Sequence, residues 1–244
     1  RHGSPLMRVE AQPAYVLHAR AYRETSLLLE CLSLEHGRVG LVARGVRRER
    51  SRFSRAILQP LQPLRLSWMG NGELFALTLA EAVGAAHAVS AQRLVSAMYV
   101  NELVLRLSAR ADPHSGLFEH YVACLERLAT GESEAWTLRR FERDLLADLG
   151  YGLVLEQDIE SGRRVDAESS YAYVMDAGPR PWRGQADGLM IPGVALLALA
   201  RDEMPDAECA RILRLLMRQL LQNQLGGGLL RAWSMQPPAG GHNR

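Results

Sequence analysis

Six arginines and one glutamate lie within the thirteen residues from Ala43 to Arg55. Arg44, Arg47, Arg48, Arg50, Arg52 and Arg55 surround Glu49, with Phe53 among them. The chain as a whole carries a formal charge of only +2. A guanidinium is planar, permanently charged and presents a fork of donors that matches a phosphate edge. Such a run suits the backbone of a nucleic acid, with Phe53 or Trp68 offering a ring on which a base can stack. A solvated loop is the plainer reading of a charge run, but single-signed charge repels itself until an anion arrives. Neutralising about five phosphates would give a log–log salt slope of about −3.5 on single strands.

Other chemistry is poorly served. All 29 basic residues are arginine, so there is no P-loop lysine, no Schiff-base lysine and no lysine nucleophile. The histidines do not stand in HxH or HExxH spacing, and His114 and His120 lack a usual ligand interval. Neither GxSxG nor a DxD pair for two-metal cleavage occurs. Gly70, Gly72 and Gly226–Gly228 suit turns and a helix end better than a phosphate loop. These absences argue against an enzyme, although scattered acids can converge in three dimensions.

Two further arginine groups stand on helical patterns. Arg211, Arg214 and Arg218 form a stripe opposite an apolar face, which Arg231 would extend, and a solvated face is the favoured reading. Arg139, Arg140 and Arg143 lie beside Leu138 and Phe141, with Glu142, Asp144 and Asp148 close enough to pair along the helix. The alternative is an apolar groove rimmed by arginine, fit for an acidic peptide with a hydrophobic end.

Before residue 85, short apolar runs alternate with turns. Ala14–Arg20, Thr25–Leu34, Arg38–Arg44, Leu64–Met69 and Glu73–Ala82 read as five strands, with hairpin signals at Glu35–Gly37 and Gly70–Gly72. Pro60 and Pro63 make the connection after the arginine run a long excursion. Five short strands with one long connection predict a closed barrel of the oligonucleotide-binding (OB) kind over 14–85. An α-helical domain is expected over 86–235, so the fold class is α+β. Val95, Tyr99, Leu103 and Leu107 mark its first helix, with Ser90 as cap. Asp112-Pro113 starts a second helix carrying Leu117, Tyr121, Leu125 and Leu128. Leu138, Phe141, Leu145 and Leu149 mark a third, and a last helix runs from Asp206 to Gly226. Residues 156–192 are expected to form an irregular insert, with Tyr171–Met175 as a lone strand. Residues 1–13 are expected to be a flexible N-terminus, with the native start near Met7, and 236–244 a disordered tail.

At 48% hydrophobic and 23% charged, the chain can bury a core. No apolar run is long enough for a membrane span, and the first residues lack the apolar core of a signal peptide. Cys31, Cys124 and Cys209 are odd in number and far apart, so neither disulfides nor a cysteine zinc site is indicated. A reducing cytoplasm is the expected location.

Three blocks carry a family resemblance: "RETSLLLECLSLEHGRVGLVARGVRR" (Arg23–Arg48), "LQPLQPLRLSWMGNGEL" (Leu58–Leu74) and "RRFERDLLADLGYGL" (Arg139–Leu153). With "YVNELVLRL" (Tyr99–Leu107) and "LGGGLLRAW" (Leu225–Trp233), they resemble the bacterial RecO recombination mediators over Ala14 to Trp233. The resemblance implies a non-enzymatic protein of gapped-DNA repair, in the RecFOR pathway, located with the nucleoid. It implies binding of single- and double-stranded DNA, annealing of complementary strands, and loading of RecA recombinase onto coated DNA together with RecR. RecF and RecA stand as further partners, and no membrane is involved. It also implies that the helical domain binds the acidic C-terminal tail of single-stranded DNA-binding protein, at Arg139 by position and with Arg140 and Arg143 nearby. Many relatives carry a four-cysteine zinc module; here residues 156–187 hold no cysteine, so no zinc or other cofactor is expected. An RNA-binding regulator on the same barrel is the alternative function, and a cryptic phosphodiester-cleaving enzyme is a second.

Overall fold

The computed structural model describes residues 6–46, 53–184, 188–226 and 230. The chain forms two compact units, Arg1–Thr130 with Leu230–Arg244, and Gly131–Leu229.

In the first unit five strands close into a barrel: β1 (Met7–Tyr22), β2 (Ser26–Ser33), β3 (Gly37–Ala43), β4 (Leu64–Gly70) and β5 (Leu74–Ala82). The order around it is β1-β2-β3-β5-β4, with β3 and β5 parallel and the other pairs antiparallel. This is the expected OB barrel. Val16, Leu29, Leu41, Leu66 and Trp68 are wholly enclosed in it.

β2 to β5 lie close to their expected limits, but β1 begins at Met7 rather than Ala14. Its first half pairs with β4, from Met7↔Gly70 to Ala14↔Leu64, and its second half with β2, from Ala14↔Ser33 to Tyr22↔Ser26. Between Val9 and Gln12 the register shifts. Ala11 there takes a φ of +50°, and its N–H donates to Ser67 Oγ at 2.9 Å. Such a bulge bends a strand and interrupts side-chain alternation. Residues 7–13 therefore show no clean period of two, and what was expected to be a flexible terminus is strand.

Gly37 closes the β2–β3 hairpin at φ +61°, and a Cβ there would stand 2.4 Å from the Asp112 carbonyl oxygen. The turn glycine thus also admits the segment that follows the first helix, where the Ala111 N–H donates to Arg38 O at 2.9 Å.

Two helices complete this unit, α1 (Ala91–Leu107) and α2 (Ser115–Thr130). Ser90 occupies the cap position of α1, but its side chain makes no cap bond; its carbonyl accepts from Arg93 and Leu94 instead. α2 starts two residues beyond Pro113, and Asp112 meets His114 Nε2 at 3.1 Å rather than opening the helix. α1 packs against β1 through a buried polar link. Asn101 Nδ2 donates to Leu17 O at 3.1 Å, and Asn101 Oδ1 accepts from the Tyr121 hydroxyl of α2 at 2.7 Å. The Tyr15 ring lies edge-on to Tyr121, 5.4 Å between centroids. It also shares a 3.0 Å hydrogen bond with His87 Nε2.

The second unit holds α3 (Glu134–Asp148), β6 (Ser170–Val174), β7 (Gly178–Pro181), β8 (Ile191–Pro192), α4 (Gly193–Arg201) and α5 (Ala207–Gln224). Leu138, Phe141 and Leu145 of α3 and Ile212, Leu216 and Leu220 of α5 are buried, as their spacing requires. Asp206 caps α5, accepting from the Cys209 N–H at 2.8 Å, and that bond holds its carboxyl below the usual range. Tyr171–Met175 is not a lone strand. Its residues to Val174 form the centre of a three-stranded sheet, β7-β6-β8. The sheet strands are too short and too proline-rich to signal themselves. α4 was not anticipated. It begins at Gly193, where a Cβ would meet the Asp166 carbonyl oxygen at 1.9 Å, so only glycine fits.

Residues 158–169 of the polar insert are held by two carboxylate turns. Asp158 accepts from the Glu160 N–H at 2.8 Å and the Ser161 hydroxyl at 2.6 Å, and the Ser161 bond foremost keeps its carboxyl below the usual range. Asp166 does the same for Glu168 N–H and the Ser169 hydroxyl. Cys31, Cys124 and Cys209 are buried free thiols, and burial pushes Cys31 far upward. Among the described residues no cluster could hold a metal ion, and no helix is long and apolar enough to cross a membrane.

Replacing Asn101 with Ala leaves the Leu17 carbonyl and Tyr121 hydroxyl buried without partners. A loss of about 2–4 kcal/mol in denaturant unfolding is expected, and a loss below ~0.5 kcal/mol would count against the link. Burial, partly opposed by Glu126, holds His87 below its usual pKa of 6.5. The unfolded chain therefore takes up this proton first, and stability falls as pH drops below about 6.5. His87→Gln is expected to flatten the decline of Tm between pH 7 and pH 5; an unchanged decline would exclude His87 as its source.

Candidate nucleic-acid interface

The basic segment is rooted in the barrel at both ends. Arg44 follows β3 directly, and the chain is described again from Phe53. Arg47, Arg48, Arg50 and Arg52 lie outside the described residues. Arg44 and Arg55 are exposed, and neither is paired with another described residue.

Two clefts flank the end of the β1–β2 hairpin. One, of about 700 Å³, is lined by Tyr22, Arg23, Glu24, Val42, Arg44 and Gly45, among others. The second, of about 460 Å³, is lined by His18, Ala21, Leu27, Arg55, Leu58 and Gln59, among others. Register explains the division. Tyr22 pairs with Ser26 and lines the first cleft, whereas Ala21 pairs with Leu27 and lines the second. The segment thus departs beside one cleft, at Arg44, and returns beside the other, at Arg55.

The aromatic part of the expected site is not where it was placed. Phe53 is 6% exposed and belongs to the barrel core with Val46 and Leu58. Trp68 is fully enclosed, with His36 edge-on at 5.5 Å. Neither ring can take a base. Both face inward because the barrel needs large apolar groups to fill it, and Phe53 draws the end of the basic segment down onto that core. Exposed aromatic surface lies instead at Tyr22, half-buried at the hairpin turn, with the Arg23 guanidinium 5.3 Å from its ring centroid. Sequence reasoning missed this pair because nothing local shows that Tyr22 ends a strand beside Arg44.

Not every arginine of the barrel is available. Arg38 and Arg110 both grip Glu30, Arg38 at 3.0 Å, and Arg38 also donates to the Ser108 carbonyl at 2.9 Å. Glu30 holds the Arg110 proton more tightly than usual through that bond. These two cations tie β2 and β3 to the segment after α1.

In the second unit the three arginines of α3 have internal partners. Arg139, 7% exposed, pairs with Glu142 one turn along. Arg140 reaches Asp202 at 2.7 Å, at the C-terminal cap of α4. Arg143 donates to the Leu199 carbonyl and to Asp144, each at 2.8 Å. Pairing within the helix accounts for Arg139 and Glu142; Arg140 and Arg143 join α3 to α4. Arg211 pairs with Glu208 at 2.7 Å on the exposed face of α5.

The model of the family described as "Recombination protein O N terminal" matches residues 7–86, and that of "Recombination protein O C terminal" matches residues 90–231. The chain belongs to the RecO family. The DNA repair protein RecO of Nitrosococcus oceani is 46% identical over 222 residues, covering 90% of this chain and 89% of the relative. The RecO proteins of Stenotrophomonas maltophilia strain R551-3 and Methylococcus capsulatus are 44% and 43% identical, each over 232 residues and at least 94% of both chains. The N-terminal RecO match begins at Met7, where the bent β1 begins, and ends just past the barrel.

Truncating Phe53 to Ala is expected to cost about 3–5 kcal/mol of stability, measured by denaturant unfolding, while leaving the salt slope of DNA binding unchanged under folding conditions. Undiminished stability with weakened binding would return Phe53 to the surface.

Proposed function

We propose that this protein is a non-enzymatic mediator of DNA repair and recombination. It binds single- and double-stranded DNA on the barrel, anneals complementary strands, and acts with RecR to load RecA onto strands coated by single-stranded DNA-binding protein, with RecF as a further partner. It works in the cytoplasm, at the nucleoid. The observation that carries the reading is the rooting of the six-arginine segment. Both described ends, Arg44 and Arg55, are exposed beside clefts of an OB barrel. The names of the relatives, DNA repair protein RecO, support the same reading. Annealing needs little chemistry: two strands must meet with their repulsion screened, and contacts to phosphate are blind to sequence.

Annealing of complementary oligonucleotides followed by fluorescence tests it. Arg44→Glu with Arg55→Glu is expected to slow annealing on bare and coated strands alike. Each single Ala substitution is expected to flatten the log–log salt slope by about 0.7 on single strands. No annealing by the wild type at low salt, a strong preference for RNA, or strand cleavage with Mg²⁺ would each overturn the reading.

The acidic tail of the coating protein is assigned to Arg139. Its side chain is 8% exposed and engaged by Glu142, so tail carboxylates must displace that partner. Arg139→Ala is expected to slow annealing on coated strands only. Equal slowing on bare strands, with Tm unchanged, would remove the assignment.

A further inference from the structure

We propose that Tyr22 and Arg23, at the turn joining β1 to β2, form a base-stacking step on the path of a single DNA strand across the barrel. The inference rests on the DNA-binding reading above and supplies what that reading lacks, an aromatic face. Non-specific grips on single strands combine a cationic track with rings on which bases stack. The track is present at Arg44 and Arg55. The two rings expected to accompany it, Phe53 and Trp68, are buried.

Tyr22 lines the same cleft as Arg44. Its ring carries the Arg23 guanidinium 5.3 Å from the centroid. Arg23 itself opens the turn at a φ of +53°, a left-handed conformation uncommon for a non-glycine residue. A planar guanidinium over a phenol makes a flat, cationic edge, and a base has two ways to use it: against the ring, or against the outer plane of the guanidinium. Glu24 lines the cleft as well and offsets the charge of Arg23 at the turn, which leaves Arg44 as the uncompensated cation of the cleft lining. The sugar–phosphate chain therefore runs on the Arg44 side, with the base turned toward Tyr22. The β1–β2 loop is also one of the two loops through which OB barrels commonly hold oligonucleotides.

The test compares two oligonucleotides of equal length, one of thymidines and one of abasic sites, by fluorescence anisotropy with the full chain. Tyr22→Ala is expected to bind the thymidine strand about tenfold more weakly, with an unchanged salt slope, and to bind the abasic strand as the wild type does. Tyr22→Trp is expected to restore binding. Wild-type affinity of Tyr22→Ala for the thymidine strand, or an equal loss on both strands, would overturn the proposal and leave the DNA-binding reading standing. Failure of the wild type to bind either strand at low salt would overturn both.

Discussion

The barrel depends on one bend. β1 must pair with β4 along its first half and with β2 along its second, and a bulge bends the strand so that it can pass from one neighbour to the other. The bend at Ala11 exposes a backbone N–H that the ladder no longer uses. Ser67 of β4 accepts it, so the kink leaves no orphaned donor. β4 itself changes register against β5 between Ser67 and Trp68, and the same serine therefore sits where two irregularities meet. Closure at this point brings Trp68, Leu66 and Val16 together in the interior.

Once the barrel is closed, its charges divide into those that hold structure and those that face outward. Glu30 is shared by Arg38 and Arg110, which bind the segment after α1 to β2 and β3. Asn101 joins β1, α1 and α2 with two hydrogen bonds, matching a buried amide with a carbonyl and a hydroxyl. Among the described residues Arg44 and Arg55 have no such partner, and they stand at the two roots of the arginine segment. The same residue type thus does opposite work according to whether a carboxylate lies within reach. A guanidinium already paired offers little field to a passing phosphate, whereas an unpaired one keeps nearly all of it.

The second unit applies the same division with a different outcome. Its α3 arginines are drawn to Glu142, Asp144, Asp202 and the Leu199 carbonyl. Residues 158–169 of the polar insert are ordered by Asp158 and Asp166, whose carboxylates gather neighbouring N–H and hydroxyl donors. Where the resemblance implies a metal module in many relatives, this chain organises its turns by local hydrogen bonding.

The amino-acid sequence by itself determined four strands of the barrel, its two hairpin turns, the helical faces of α1, α3 and α5, and the position of the arginine run. Each of these is a local pattern: alternation, a turn glycine, a period near 3.6, or a count of charges. The RecO resemblance was likewise carried by contiguous blocks. Tertiary structure alone decided the first half of β1, the sheet around Tyr171, and α4 from Gly193 onward. In these, pairing partners far along the chain impose a bend, a short strand or a close approach that propensity does not encode. It also decided which rings and cations are available. Phe53, Trp68 and Arg139 look like binding residues in the sequence, but burial and nearby carboxylates are properties of the folded chain. Enclosure in the core took the two rings out of reach and Glu142 engaged the arginine, while the turn between β1 and β2 left Tyr22 and Arg23 at the mouth of a cleft.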